Sequence, residues 1–122
     1  MSERIRDFNA FRKRLNERIL GHDNQVVRRF FALDTQTYKA GALDVRTKEM
    51  LGLVASLVLR CDDCISYHVG KCLEAGVSED EFFEVFSVGL VVGGSIVIPH
   101  LRRAVDFLDQ MSAQRSESNV ET

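Results

Sequence analysis

Apolar residues recur along this chain at spacings of three and four, and the alternation expected of a half-buried strand is scarce. That pattern predicts helices throughout. Residues 4 to 20 place Ile5, Phe8, Phe11, Leu15 and Ile19 on one stripe, ending near Gly21. A second helix is expected from about Asn24 to Lys39, with Val27, Phe30, Phe31 and Tyr38 inward. Gly41 breaks the chain, and Asp44 is suited to cap a third helix running through Leu59. That helix carries Met50, Leu51, Val54, Leu57 and Val58; being apolar on most sides, it is expected at the centre. Asp62 or Asp63 can cap a fourth helix reaching Ala75, where Gly76 suits a left-handed stop. Ser78 to Glu81 reads as a capping box opening a fifth helix. The last helix follows Gly93-Gly94 and is expected to end near Met111, with Pro99 as a kink or restart. The expected fold is all-α: a compact bundle of about six helices forming one domain over residues 1–112, with a polar flexible tail at 113–122.

Helices three and five, and the start of the sixth, are apolar over more than one stripe, the latter two through Val85, Phe86, Val88, Leu90, Val91 and Val92 and on to Ile96, Val97 and Ile98. Either a central helix pair buries this excess, or a homo-oligomer does, with Gly89, Gly93 and Gly94 permitting close helix approach; the extent favours the oligomer. At 122 residues there is no room for a second domain. A net charge of −2 gives no reason to expect nucleic acid or an anionic membrane as partner. The basic run Arg12-Lys13-Arg14 lies among Glu3, Asp7 and Glu17, as on a solvated helix face. The longest apolar run, Gly89 to Pro99, is too short to span a bilayer, and the N-terminus lacks the pattern of a signal peptide. A cytoplasmic location is expected. An odd count of three cysteines fits a reducing compartment, where a CxxC pair is used catalytically rather than structurally.

That pair is Cys61-Asp62-Asp63-Cys64, with His68 four residues beyond and Glu49 twelve residues before Cys61. CxxC supplies an attacking thiolate and a partner able to close a disulfide, while His and Glu can supply the base. With Cys61 in the first turn of the fourth helix, Cys61, Cys64 and His68 fall at i, i+3 and i+7 on one face. The free N–H groups there favour thiolate; Asp62 and Asp63 oppose it with nearby negative charge. Glu49 can join only if the chain turns near Arg60 to Asp63, because a continuous helix would hold it roughly 18 Å from Cys61. Cys61, Cys64, His68 and Cys72 mimic a zinc set, but Cys61 and Cys72 on one helix would stand about 16 Å apart along its axis. No metal or cofactor is therefore expected, and Cys72 reads as a small buried side chain. Tyr67 suits either pocket hydrogen bonding or packing, and His100 reads as a surface or packing histidine.

At these residues the chain resembles the carboxymuconolactone decarboxylase superfamily, in its alkyl hydroperoxidase D-like branch. The matching text is Leu43 to Glu49, the apolar helix behind it, and Cys61-Asp62-Asp63-Cys64-Ile65-Ser66-Tyr67-His68. The branch's pattern of Glu, CxxC twelve residues on, then His four past the second Cys is reproduced by Glu49, Cys61, Cys64 and His68. The resemblance covers roughly residues 25 to 110 and implies an all-helical fold assembling as a trimer or hexamer. It also implies a peroxidase in which Cys64 attacks the peroxide, activated by His68 and by Glu49, and Cys61 resolves the sulfenic acid. A dithiol donor would restore the pair: a lipoyl group, a thioredoxin-like protein or a small thiol. The best-known hydroperoxidase member is a longer chain with histidine where this one has Asp63. Alternatives are a protein-disulfide oxidoreductase, a redox-switch module, and a decarboxylase drawing on Arg46, Arg60, Arg102 and Arg103.

Overall fold

The computed structural model describes residues 2–121, with side chains through Ser116. Six helices follow in order: α1 Glu3–Leu20, α2 Gln25–Thr37, α3 Val45–Leu59, α4 Asp62–Glu74, α5 Glu79–Gly93 and α6 Ile98–Glu121. A single 3-10 turn, Ser95–Val97, separates α5 from α6, so the chain restarts before Pro99 rather than kinking at it. Among the described residues there is no strand.

The helix starts follow local chemistry. Asn24 accepts from the Val27 N–H at 3.0 Å, and Asp44 accepts from the Thr47 N–H at 2.7 Å. Ser78 and Glu81 form the expected reciprocal capping box. The last helix, expected to end near Met111, continues to Glu121, so most of the expected tail at 113–122 is helical; Thr122 lies outside the described residues. No glycine or proline follows Pro99, so nothing in the sequence forces an earlier stop.

α3 is central, packing on α4 and α5, while α4 also packs on α6. Leu53 and Leu57 of α3 meet Ile65, Val69 and Cys72 of α4, Phe82 and Phe86 of α5, and Phe107 of α6 in one core. α1 adds Ile5 to this core and sets Phe8 edge-on against Phe107, with ring centroids 5.4 Å apart. Two expected inward faces are corrected. Phe11 and Ile19 of α1 are exposed, and Phe30 of α2 is 68% exposed; α2 buries no residue at all. Its Val26, Phe30 and Leu33, at i, i+4 and i+7, form an apolar stripe left exposed among the described residues.

Candidate functional site

The turn between α3 and α4 creates the site. Arg60 adopts the left-handed conformation (φ 59°, ψ 43°), and its N–H donates to the Leu57 carbonyl at 3.0 Å. The Cys61 N–H reaches the Ser56 carbonyl at 3.1 Å. This is a Schellman stop built on a residue other than glycine, a conformation that costs roughly 1–2 kcal/mol. The following residue, Cys61, is extended and is itself the cap of α4, the role expected of Asp62 or Asp63. Its Sγ accepts from the Cys64 N–H at 3.3 Å. A thiol one position before the helix can point back at the free N–H groups of its first turn. Cys61 and Cys64 are joined as a disulfide, their Cα atoms 5.3 Å apart. Cys64 is exposed and Cys61 half-buried.

Folding α4 back on α3 brings Glu49 to His68. The imidazole Nδ1 lies 2.8 Å from Glu49 Oε2, and the two side chains are only 10% and 5% exposed. A carboxylate accepts only, so Nδ1 carries a proton, and in the neutral ring the lone pair is on Nε2. The Tyr38 hydroxyl lies 3.4 Å from Nε2. Burial, and next the Glu49 charge, push the Tyr38 pKa up, so the phenol keeps its proton and serves as the donor. Tyr67 packs edge-on against the imidazole from another side, with centroids 5.1 Å apart, and lies under the Arg12 guanidinium at 4.2 Å. It makes packing contacts here rather than a hydrogen bond to His68. Neither sulfur is hydrogen-bonded to His68 among the described residues, and in the disulfide neither carries a proton to share.

Two residues that the motif does not contain make this arrangement possible. A Cβ on Gly52 would fall 2.6 Å from His68 Cε1 and 2.7 Å from the Tyr38 hydroxyl. Only glycine leaves room for both rings. Lys48 Nζ donates to the carbonyls of Thr37 and Lys39, at 2.9 and 2.7 Å, pinning the end of α2 so that Tyr38 stays over the imidazole. Tyr38 stands between two clefts. One, of about 440 Å³, is lined by Tyr38, Glu49, Tyr67 and Lys71. The other, of about 390 Å³, is lined by Tyr38, Leu51, Gly52 and Ala55. Cys72 is fully buried, and desolvation pushes its thiol up to about 12, leaving it no thiolate for chemistry. His100, expected at the surface or in packing, donates instead from Nδ1 to Asp62 Oδ1 at 2.8 Å.

Residues 24–107 match the carboxymuconolactone decarboxylase family. The chain belongs to this family. The matched span contains Glu49, Cys61, Cys64 and His68 and leaves out α1. A crystal structure of a Thermotoga maritima protein is 52% identical, with a TM-score of 0.89 over 91% of this chain and 97% of that one. A second crystal structure from that organism, at TM-score 0.86 over 95% and 97%, is described as a carboxymuconolactone decarboxylase family protein, with a suggested involvement in antioxidative response. A family member from Legionella pneumophila shares the fold at 23% identity and TM-score 0.65, over 88% of this chain and 89% of that one. An uncharacterised protein of the cox locus in Paracoccus denitrificans is 28% identical over 67% of this chain and 74% of its own length. No described helix of this family member is long and apolar enough to cross a membrane.

Proposed function

We propose that the protein is a thiol-dependent peroxidase of the alkyl hydroperoxidase D-like branch, reducing hydrogen peroxide or organic hydroperoxides through Cys61 and Cys64. The observation that carries this reading is the turn at Arg60, which sets a disulfide-forming CxxC at a helix start and, on the same helix, a buried His68 held by Glu49. The suggested antioxidative involvement of the Thermotoga maritima relative points the same way.

Cys64 is the attacking group, as the more exposed of the two cysteines. Its thiolate attacks the terminal peroxide oxygen, the O–O bond breaks, and Cys64 becomes a sulfenic acid while the alkoxide or hydroxide takes up a proton. His68 first accepts the Cys64 proton at Nε2, Glu49 stabilises the resulting imidazolium through Nδ1, and the imidazolium returns the proton to the leaving oxygen. Reaching Cys64 requires Nε2 to exchange the Tyr38 hydroxyl for the thiol, directly or through water. Cys61 then attacks the sulfenic sulfur, releasing water and closing the disulfide. A dithiol donor (a lipoyl group, a thioredoxin-like protein or a small thiol) attacks exposed Cys64. Cys61 leaves as a thiolate stabilised by the Cys64 N–H, and the donor's second thiol, or a second small thiol, attacks the mixed disulfide, freeing Cys64 and leaving the donor as its disulfide.

The uncovered stripes on α2 and α5 belong to the same proposal: a second copy of the chain covers them in a homo-oligomer, a trimer or hexamer by the resemblance. Val91 is 86% exposed and Val26 75% exposed, and light scattering that returns a monomer mass would end this part of it. A cytoplasmic setting would supply the reducing donors.

One observation favours a second reading. The disulfide lies at an exposed helix start rather than in either cleft, which suits a protein-disulfide oxidoreductase or redox switch whose partner is another protein. A decarboxylase is less well served, because Arg46 is engaged by Glu81 and Arg103 by Asp62. Rapid mixing of reduced protein with hydrogen peroxide and with an organic hydroperoxide, followed by mass spectrometry, separates the readings. Fast, stoichiometric formation of the Cys61–Cys64 disulfide is expected. Oxidation no faster than that of a free thiol would overturn the peroxidase reading in favour of the second.

A further inference from the structure

Asp62, the residue between the sulfurs in sequence, has both carboxylate oxygens engaged from α6. His100 Nδ1 lies 2.8 Å from Oδ1, and Arg103 Nε lies 3.0 Å from Oδ2. The Arg103 guanidinium also comes within 3.2 Å of His100 Nδ1. That nitrogen cannot both donate to Asp62 and accept from Arg103; the carboxylate is the stronger acceptor, so both side chains direct their protons at Asp62. His100 and Arg103 are an (i, i+3) pair in the first turns of α6. They reach Asp62 because the 3-10 turn at Ser95–Val97 starts α6 beside the start of α4.

We propose that Arg103 and His100 tune the redox pair by compensating the charge of Asp62, so that Arg103 raises the acidity of the Cys61–Cys64 thiols and makes their disulfide easier to reduce. His100 acts as a positioning residue that fixes the carboxylate for Arg103. This rests on the dithiol/disulfide cycle proposed above, though not on peroxide being its oxidant. The physics is local. Asp62 and Asp63 put two negative charges in the first turn of α4, where their field opposes a thiolate drawn to the same helix dipole. Asp63 has no ion-pair partner among the described residues, and Arg60 is the only other cation adjacent to the motif in sequence. Arg103 therefore offsets the one carboxylate that the fold holds in place. Loss of that offset disfavours thiolate in the reduced state alone, which moves the equilibrium toward disulfide.

The test is equilibrium titration of the reduced protein by ultraviolet thiolate absorbance, paired with exchange against a reference dithiol of known potential. For a half-exposed pair the expected changes are roughly two- to five-fold. Arg103→Gln should lower thiol acidity and favour the disulfide by that factor. Asp62→Asn should do the opposite, and Arg103→Gln added to Asp62→Asn should have a smaller effect, because Arg103 is then no longer held beside the motif. Arg103→Lys should restore most of the wild-type behaviour. If Arg103→Gln leaves both quantities unchanged, or changes them equally with Asp62→Asn already present, the proposal is overturned. A shift of the same sign in both single variants would mark a purely mechanical clamp and overturn it too. None of these readouts uses peroxide, so failure of the peroxidase reading leaves them interpretable.

Discussion

Cys64 and Cys72 stand about two turns apart on α4, in the same helical backbone, and their surroundings give them opposite chemistry. Cys64 is exposed in the first turn, where free N–H groups and a neighbouring thiol make oxidation reversible. Cys72 lies wholly in the core, and burial pushes its thiol up to about 12. Midway between them is His68, buried like Cys72 yet held by Glu49 and faced by the Tyr38 hydroxyl. In the proposed cycle, one helix would thus grade from a wet redox end through a dry proton-handling middle to an inert core end. Residue type alone separates none of these roles; depth along the helix does.

The sharpest way to break the comparison is to remove the wet thiol. Cys64→Ser should abolish peroxide consumption, while Cys61→Ser should leave a sulfenic acid or mixed disulfide on Cys64 that mass spectrometry locates. Full turnover by Cys64→Ser would mean that the attacking sulfur is misassigned. A smaller effect is expected from the middle of the helix. Gly52→Ala puts a Cβ 2.6 Å from the imidazole, so the His68 and Tyr38 rings must both move. Thermal unfolding should register a loss of about 1–3 kcal/mol. Thiol oxidation should slow about ten-fold or more if His68 handles the proton. Gly89→Ala is the control: its Cβ would meet Leu57 at 3.3 Å, a contact outside the site, so it should cost stability without that loss of rate. Equal rate losses in the two variants would remove His68 from the mechanism.

The helices themselves were legible because their signals are local. Asp44 and the Ser78–Glu81 box act within a single turn, and both operate as expected. Glu49 and His68 were also legible once a break near Arg60 was expected, since their meeting depends only on α4 folding back on α3. Three things were not. Tyr38 and Gly52 fit around the imidazole through packing between helices, which no motif spacing encodes. His100 and Arg103 engage Asp62 across thirty-eight and forty-one residues, with no local pattern linking them. On α2 the periodicity identified an apolar face, but periodicity cannot say whether the same chain covers it, and here Phe30 and Leu33 stay exposed.

The smallest expected effect is at Cys72, and it tests the inert end of the helix directly. In the reduced protein a soft alkylating agent at mildly alkaline pH should modify Cys61 and Cys64 and leave Cys72 untouched until the chain is unfolded. Cys72→Ala should leave the rate of Cys61–Cys64 oxidation unchanged and cost about 1 kcal/mol, the scale of one buried methylene. Its pH signature has a definite sign. The folded thiol titrates near 12 and the unfolded one near 9, so the folded state favours the protonated form. Stability from this preference is complete below about 9 and is lost as pH rises from there toward about 12. Tyr38 and Tyr67, also raised by burial, contribute losses of the same sign above 10, so only the difference between wild type and Cys72→Ala isolates the cysteine. Unfolding midpoints measured across that window should therefore fall less steeply for Cys72→Ala. Parallel slopes would mean that the third thiol ionises as readily as an exposed one, and the gradient along α4 would lose its dry end.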